Sequence, residues 1–122
     1  MSRSNDYDVI IAGAGPAGST AAYILTKVGR KVLVVEKTSL PRYKPCGGGL
    51  SLDYLAQIFP FSFDEVIEAS IKRVHYHYDG LQASVGCRPG VMAMVMRDQF
   101  DQLLLRHAGC EVWQGDGLTQ VV

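Results

Sequence analysis

Cysteine is scarce in this chain. Its three copies, Cys46, Cys87 and Cys110, are far apart and odd in number. No CxxC pair and no Cys/His spacing of a zinc ligand set is present, so neither a metal site nor a disulfide framework is expected. The expected compartment is a reducing cytoplasm. An excess of charge is lacking as well: 12 Lys plus Arg balance 12 Asp plus Glu, and the isoelectric point is about 6.8. That balance removes the basic footprint by which nucleic acid or an anionic membrane is gripped. No apolar run approaches the roughly 20 residues of a membrane span. The stretch from Met1 to Asp8 is polar, and the apolar run behind it is broken by Gly13 and Gly15, which is not the pattern of a signal peptide. Peripheral contact with a membrane stays open. Internal repeats and low-complexity tracts are absent.

What the chain does have is the composition of a folded domain. It is 48% hydrophobic and 20% charged over 122 residues, enough for one domain and too little for two of ordinary size. Glycine stands out, with 13 residues, many of them gathered in two short stretches. Tyr7–Ala12 reads as a strand buried on both faces, and Lys31–Glu36 as a second buried strand. Between them lie the glycine turn Gly13–Gly18 and a helix over Ala17–Val28, with Ala21, Ala22, Ile24, Leu25 and Val28 at helical spacing and Gly29 at its C-terminal cap. This is a βαβ unit, and it requires a parallel strand pair with a right-handed crossover.

Beyond it, a Pro/Gly loop over Thr38–Gly49 leads to a short helix at Ser51–Ile58, ended by Pro60. A helical turn is expected within Asp64–Ser70. Ile71–Tyr78 alternates like a half-exposed strand, and Asp79-Gly80 is a hairpin signal. Leu81–Val85 and Val91–Met96 are expected as partners in one antiparallel sheet. Asp98–Ala108 is amphipathic, with Phe100, Leu103, Leu104 and His107 on one face, and Gly109 ends it. Cys110–Gln114 reads as the next parallel strand. Gly115-Asp116-Gly117 then turns the chain into a last strand, Leu118–Val122. Because that strand pattern meets the end of the chain, the expectation is a fragment, or a last strand whose partner lies elsewhere.

Gly13-Ala14-Gly15-Pro16-Ala17-Gly18 matches GxGxxG, a weak pattern alone. Here it follows a strand, opens a helix and precedes an acid, Glu36, at the end of the second strand. The missing Cβ of Gly15 lets a pyrophosphate reach the backbone, and Gly18 lets the helix pack close to the sheet. The helix N-terminus offers free N–H groups and partial positive charge to a diphosphate. Glu36 can accept hydrogen bonds from ribose hydroxyls, each contributing about 1.5–3 kcal/mol. An acid at this position argues against a 2′-phosphorylated adenosine, so NADP is not expected in this site. The turn itself does not separate FAD from NAD. The Pro/Gly loop and antiparallel hairpin after Glu36, where an NAD domain would continue with alternating helices and strands, favour a larger enzyme with a substrate domain.

Three stretches carry a family resemblance. Tyr7–Ala22 with Val34-Val35-Glu36-Lys37 resembles the N-terminus of FAD-dependent oxidoreductases. Pro41-Arg42-Tyr43-Lys44-Pro45-Cys46-Gly47-Gly48-Gly49-Leu50 is more specific and resembles the geranylgeranyl reductase family, within the group having the p-hydroxybenzoate hydroxylase fold. Met96-Arg97-Asp98-Gln99-Phe100-Asp101 is the third match. The resemblance covers essentially the whole chain but only the first part of a family member, and the family's second flavin motif has no match here.

The resemblance implies an α/β fold: a Rossmann-like βαβ FAD-binding domain with a parallel sheet, plus the start of an antiparallel substrate-domain sheet, truncated. Its parts would be the nucleotide-binding βαβ at 6–37, a flavin-side loop at 38–50, inserted helices and antiparallel strands at 51–96, and a return helix and strand at 97–122. Gly13, Gly15, Pro16, Ala17 and Gly18 would lie along the FAD diphosphate, and Glu36 with Lys37 would hold the adenosine ribose. Cys46, Gly47 and Gly49 would line the flavin side of the cleft, and Arg97 would reach back to the cofactor. The implied activity is reduction of C=C bonds in a prenyl or similar hydrophobic substrate, with NAD(P)H as a transient electron donor. The alternatives are a flavin monooxygenase or halogenase of the same fold, and an inactive nucleotide-binding fragment.

Among single residues, Cys46 is the catalytic candidate, weighed evenly against a small apolar filler. Cys87 and Cys110 are expected in the core. Lys44 reads as solvated, and Arg42 is undecided between solvent and a phosphate. His75 and His77 share a strand face, but with no third ligand they read as a surface or interface pair. For the isolated chain the expectation is weak FAD binding, no turnover and, from open sheet edges, self-association with the rest of the enzyme missing.

Overall fold

The computed structural model describes residues 6–121. The chain divides into two compact units, one formed by residues 1–44 and 98–122, the other by residues 45–97.

The first unit is the βαβ motif with a third strand added. β1 (Val9–Ala12) pairs in parallel with β2 (Val32–Glu36), with Val9 opposite Val32 and Ala12 opposite Val35. On its other edge β2 pairs in parallel with the C-terminal strand of this unit, Glu111–Gln114, placing Leu33 opposite Glu111 and Glu36 opposite Gln114. The central position of β2 explains why Val32, Leu33, Val34 and Glu36 are all buried. Among the described residues β1 is an edge strand, and it alternates instead, with Ile10 59% exposed, so the expectation of burial on both faces is not met there. A strand with one neighbour keeps one face open when nothing covers it.

Helix α1 (Pro16–Lys27) packs on β1 and β2 through Ser19, Ala22 and Tyr23. The buried stripe is rotated from the one that the spacing predicts: Ala21, Ile24 and Val28 lie outside, with Ile24 50% and Val28 68% exposed. Its end is a Schellman motif. Gly29, at φ +80°, donates to Thr26 O at 3.0 Å, and Arg30 N–H reaches Leu25 O at 3.0 Å. The helix Arg97–Ala108, which lies in this unit from Asp98 on, buries Phe100, Asp101, Leu103, Leu104 and Ala108. His107, expected on that face, is exposed, and Asp101 takes an inward place instead. Thr26 Oγ1 donates to Ala108 O at 2.8 Å and ties the ends of the two helices together. Residues 118–121 form no strand, contrary to expectation, and Val122 lies outside the described residues. Cys110 is half-buried rather than a core residue.

The second unit holds two antiparallel sheets. β3 (Gly49–Ser51) and β4 (Ile67–Ser70) flank the strand Met92–Val95, with a register shift between Ile67 and Ala69. β5 (Arg73–Tyr78) and β6 (Leu81–Gly86) form a separate hairpin. The strands expected as partners, Leu81–Val85 and Val91–Met96, therefore sit in different sheets. Pro89 and Gly90, the latter at φ +79°, turn the chain between them. Asp79 (φ +43°) and Gly80 (φ +79°) make the two-residue turn that the right-handed twist of a hairpin favours. The hairpin is more exposed than its alternation suggested, with Val74 alone half-buried on β5. Leu52–Ile58 is helical, as expected, and a single turn of 3₁₀ helix at Asp64–Val66 replaces part of the expected helical turn. Cys87 is half-buried, not a core residue. The apolar centre comprises Phe59, Phe63, Val66, Ala93 and Val95.

Candidate functional site

In the first unit, the end of β1, the start of α1 and the end of β2 converge. Parallel pairing sets this up, because both strands point their C-terminal ends the same way and the crossover helix starts there. Gly13 leaves β1 at φ +101°, a conformation that side chains resist, and its amide still donates to Val35 O at 2.8 Å. A Cβ on Gly18 would overlap the carbonyl oxygen of Gly13, so the turn closes only with glycine at that position. Gly15 caps α1 with extended backbone and no side-chain bond. Pro16 has no N–H, Ser19 N–H bonds Gly15 O at 2.9 Å, and the amides of Ala17 and Gly18 find no acceptor among the described residues. The helix therefore starts with open donors and positive partial charge.

Glu36 faces this turn. Ala14 N–H donates to its Oε2 at 2.8 Å, while Thr38 donates to its Oε1 through Oγ1 at 2.9 Å and through N–H at 3.2 Å. The Arg42 guanidinium lies 3.7 Å from the same Oε1. Burial by itself would push the Glu36 carboxyl up. The hydrogen bonds from Ala14 and Thr38 and the charge of Arg42 outweigh it and hold the group below the usual carboxylate range. Glu36 is thus ionised, 4% exposed and fixed in direction at the mouth of the glycine turn.

The sequence motif residues Gly13, Gly15, Pro16, Ala17, Gly18 and Glu36 are brought together here. Lys37, the next residue along, is exposed. The sequence leaves Arg42 undecided between solvent and a phosphate and does not single out Asp101 or Thr38. Arg42 Nη1 donates to Asp101 Oδ2 at 3.0 Å, with side chains 15% and 2% exposed. A signal for Asp101 was present: it is a carboxylate on the apolar stripe of its helix, one residue after Phe100 and three before Leu104.

Cys46, Gly47, Gly49 and Arg97 belong to the second unit. Cys46 is exposed, and its Sγ accepts from Gly48 N–H at 3.4 Å. Gly48 stands at φ +75°, where a Cβ would overlap Val95 O. The middle glycine of the triplet is thus structural. A Cβ on Gly47 would meet open space, and one on Gly49 only an ordinary contact, 3.9 Å from Met94 Sδ. This unit also contains a cavity of about 430 Å³ whose walls include Leu52, Ala56 and the rings of Phe59, Phe61 and Phe63. Those rings stand 5.1–5.7 Å apart between centroids. His75 and His77 are exposed, and no cluster of three or more metal-binding side chains occurs among the described residues. Nor is any described helix long and apolar enough to cross a membrane.

Residues 11–74 match the family described as NAD(P)-binding Rossmann-like domains. An uncharacterised protein of Methanosarcina barkeri is 39% identical over 99% of this chain and 32% of its own length. A flavin-dependent halogenase of Armillaria mellea is 32% identical over 93% of this chain and 24% of its length. The geranylgeranyl diphosphate reductase of Rhodobacter capsulatus is 33% identical over 84% of this chain and 26% of its length. A solved geranylgeranyl bacteriochlorophyll reductase-like protein of Thermoplasma acidophilum superimposes with a TM-score of 0.79 at 30% identity, over 89% of this chain and 30% of that one. The chain thus spans about a third or less of the length of the relatives it matches.

Proposed function

We propose a function for a chain that belongs to the NAD(P)-binding Rossmann-like domain family: it is the FAD-binding portion of a flavin-dependent oxidoreductase. The observation that carries this is Glu36, ionised and held by Ala14 N–H at the glycine turn, where α1 starts with open amides. This set fits an ADP moiety. The helix start receives a diphosphate, Gly15 presents no Cβ to block it, and the Glu36 carboxylate accepts from ribose hydroxyls. A carboxylate at that point repels a 2′-phosphate, which disfavours NADP in this site. Flavin rather than NAD is supported by the flavin-dependent halogenase among the relatives and by the glycine triplet at 47–49, which resembles the reductase family.

When bound, FAD supplies hydride transfer. This chain's own residues bind and orient the nucleotide in the first unit: Gly13–Gly18 the diphosphate, and Glu36 and Lys37 the ribose. The favoured substrate is a prenyl or similarly hydrophobic chain. The cavity of the second unit supports this: Phe59, Phe61 and Phe63 make its walls mainly apolar, with Ser62 and Asp64 as the polar residues among them. Halogenation is the second reading, favoured by the Armillaria mellea relative.

The test is calorimetric titration of the purified chain with FAD, ADP and NADP. Binding of FAD and ADP with NADP markedly weaker supports the proposal, and failure of both FAD and ADP to bind overturns it. For an enzyme that includes this chain, halide-dependent product formation under oxygen would favour halogenation, and anaerobic reduction of a prenyl chain would favour the reductase.

A further inference from the structure

Resting on the reading above that the glycine turn takes an ADP moiety, we propose that Arg42 is a diphosphate-binding residue, with Asp101 as the positioning residue that aims it. Arg42 lies outside the glycine motif, in the loop that follows β2. Its three guanidinium nitrogens are divided among three directions. Nη1 bonds Asp101 Oδ2 at 3.0 Å, and Nε faces Glu36 Oε1 at 3.7 Å. Nη2 has no carboxylate partner among the described residues, and it lies 3.4 Å from where a Cβ on Gly15 would stand. The edge of the guanidinium left for a ligand is therefore the edge laid over the start of α1.

Asp101 is 2% exposed, and a buried ion pair recovers its desolvation only with favourable geometry and further hydrogen bonds. Two carboxylates face this one guanidinium, at 3.0 and 3.7 Å, and fix the direction in which its remaining edge points. A planar guanidinium can present parallel N–H donors to a phosphate while staying anchored on its other side, which an ammonium cannot do. The labour is divided by direction: Glu36 accepts from the sugar, Arg42 donates to the diphosphate, and Asp101 keeps the guanidinium from turning away.

The test uses ADP and adenosine as probes on the purified chain, with affinities measured by calorimetry at low and moderate salt. Wild type should favour ADP over adenosine. Arg42→Gln should shrink that ADP-to-adenosine ratio about tenfold, as expected for loss of a charge-assisted contact, and flatten its salt dependence. Adenosine affinity should fall less than ADP affinity, since Arg42 touches the sugar acceptor Glu36 only at 3.7 Å while the variant loses the whole contact to the diphosphate. Arg42→Lys should keep part of the ratio, and Asp101→Asn should lower it in the same direction with Arg42 intact. If Arg42→Gln weakens ADP and adenosine alike, Arg42 is structural and the proposal falls. An unchanged ratio also overturns it. If wild type binds neither probe, the nucleotide reading itself fails, and that outcome is distinguishable because it precedes any variant.

Discussion

The amide of Ala14 donates to Glu36 Oε2 at 2.8 Å across 22 residues of sequence, joining the glycine turn after β1 to the last residue of β2. One carboxylate oxygen thereby sets the turn's conformation, while the other is held by Thr38. The group that recognises a sugar is also part of what keeps the turn closed. Glu36→Gln should therefore reduce stability as well as nucleotide affinity. Loss of charge at a buried acceptor with three donors should cost about 1.5–3 kcal/mol, read as a lower urea midpoint with unchanged slope. An unaltered midpoint would show that Glu36 serves the ligand only.

The lowered Glu36 acidity makes stability depend on pH in a defined sense. The folded state holds this carboxyl below its ordinary range, so the unfolded chain binds the proton more readily. Its contribution is fully present above the ordinary carboxylate pKa and is lost as pH falls through the lowered folded value. Urea midpoints measured from neutral pH downward should fall across that window. The decline should be shallower in Glu36→Gln, because one of the titrating carboxylates is gone.

Gly15 and Gly18 should separate binding from folding. A Cβ at Gly18 overlaps the Gly13 carbonyl, which is backbone and cannot swing aside, so Gly18→Ala should cost about 3 kcal/mol. Gly15 has φ −75° and only the Arg42 side chain nearby, at 3.4 Å from the added carbon. Gly15→Ala should thus stay within about 0.5 kcal/mol of wild type in stability and lose ADP affinity. Equal thermal melts for the two variants would contradict this.

The glycine triplet should divide in the same manner. Gly48→Ala combines positive φ with overlap of Val95 O and should destabilise by about 3 kcal/mol, whereas Gly47→Ala should be neutral to about 0.5 kcal/mol. Hydrogen exchange at Val95, whose amide donates to Gly48 O at 2.9 Å, reports on the loop directly and should speed up in Gly48→Ala alone.

Much of the first unit was legible from local pattern. The β-branched run of β2, the glycine turn and the Gly29 cap each depend on neighbours within a few residues, and each was placed to within a residue or two. Where the reading missed, the deciding partner was remote in sequence. Tyr7–Ala12 has the composition of a doubly covered strand, but its edge position leaves Ile10 exposed. Val91–Met96 has the pattern of a strand without saying whether β6 or the β3/β4 pair flanks it. The place of Asp101 on the apolar stripe of its helix does not name its partner, Arg42, which lies 59 residues away.

By itself the sequence determined the chemistry available at the glycine turn: a helix start without side chains in the way, and a carboxylate on the next strand. Those follow from the residue types and from spacings that βαβ geometry converts into position. Only the tertiary structure decided which cation stands over that turn, what holds Glu36 ionised, and which glycine of the triplet is structural. Those depend on which side chains from distant segments share a buried, weakly screened space, and that is fixed by packing rather than by local order.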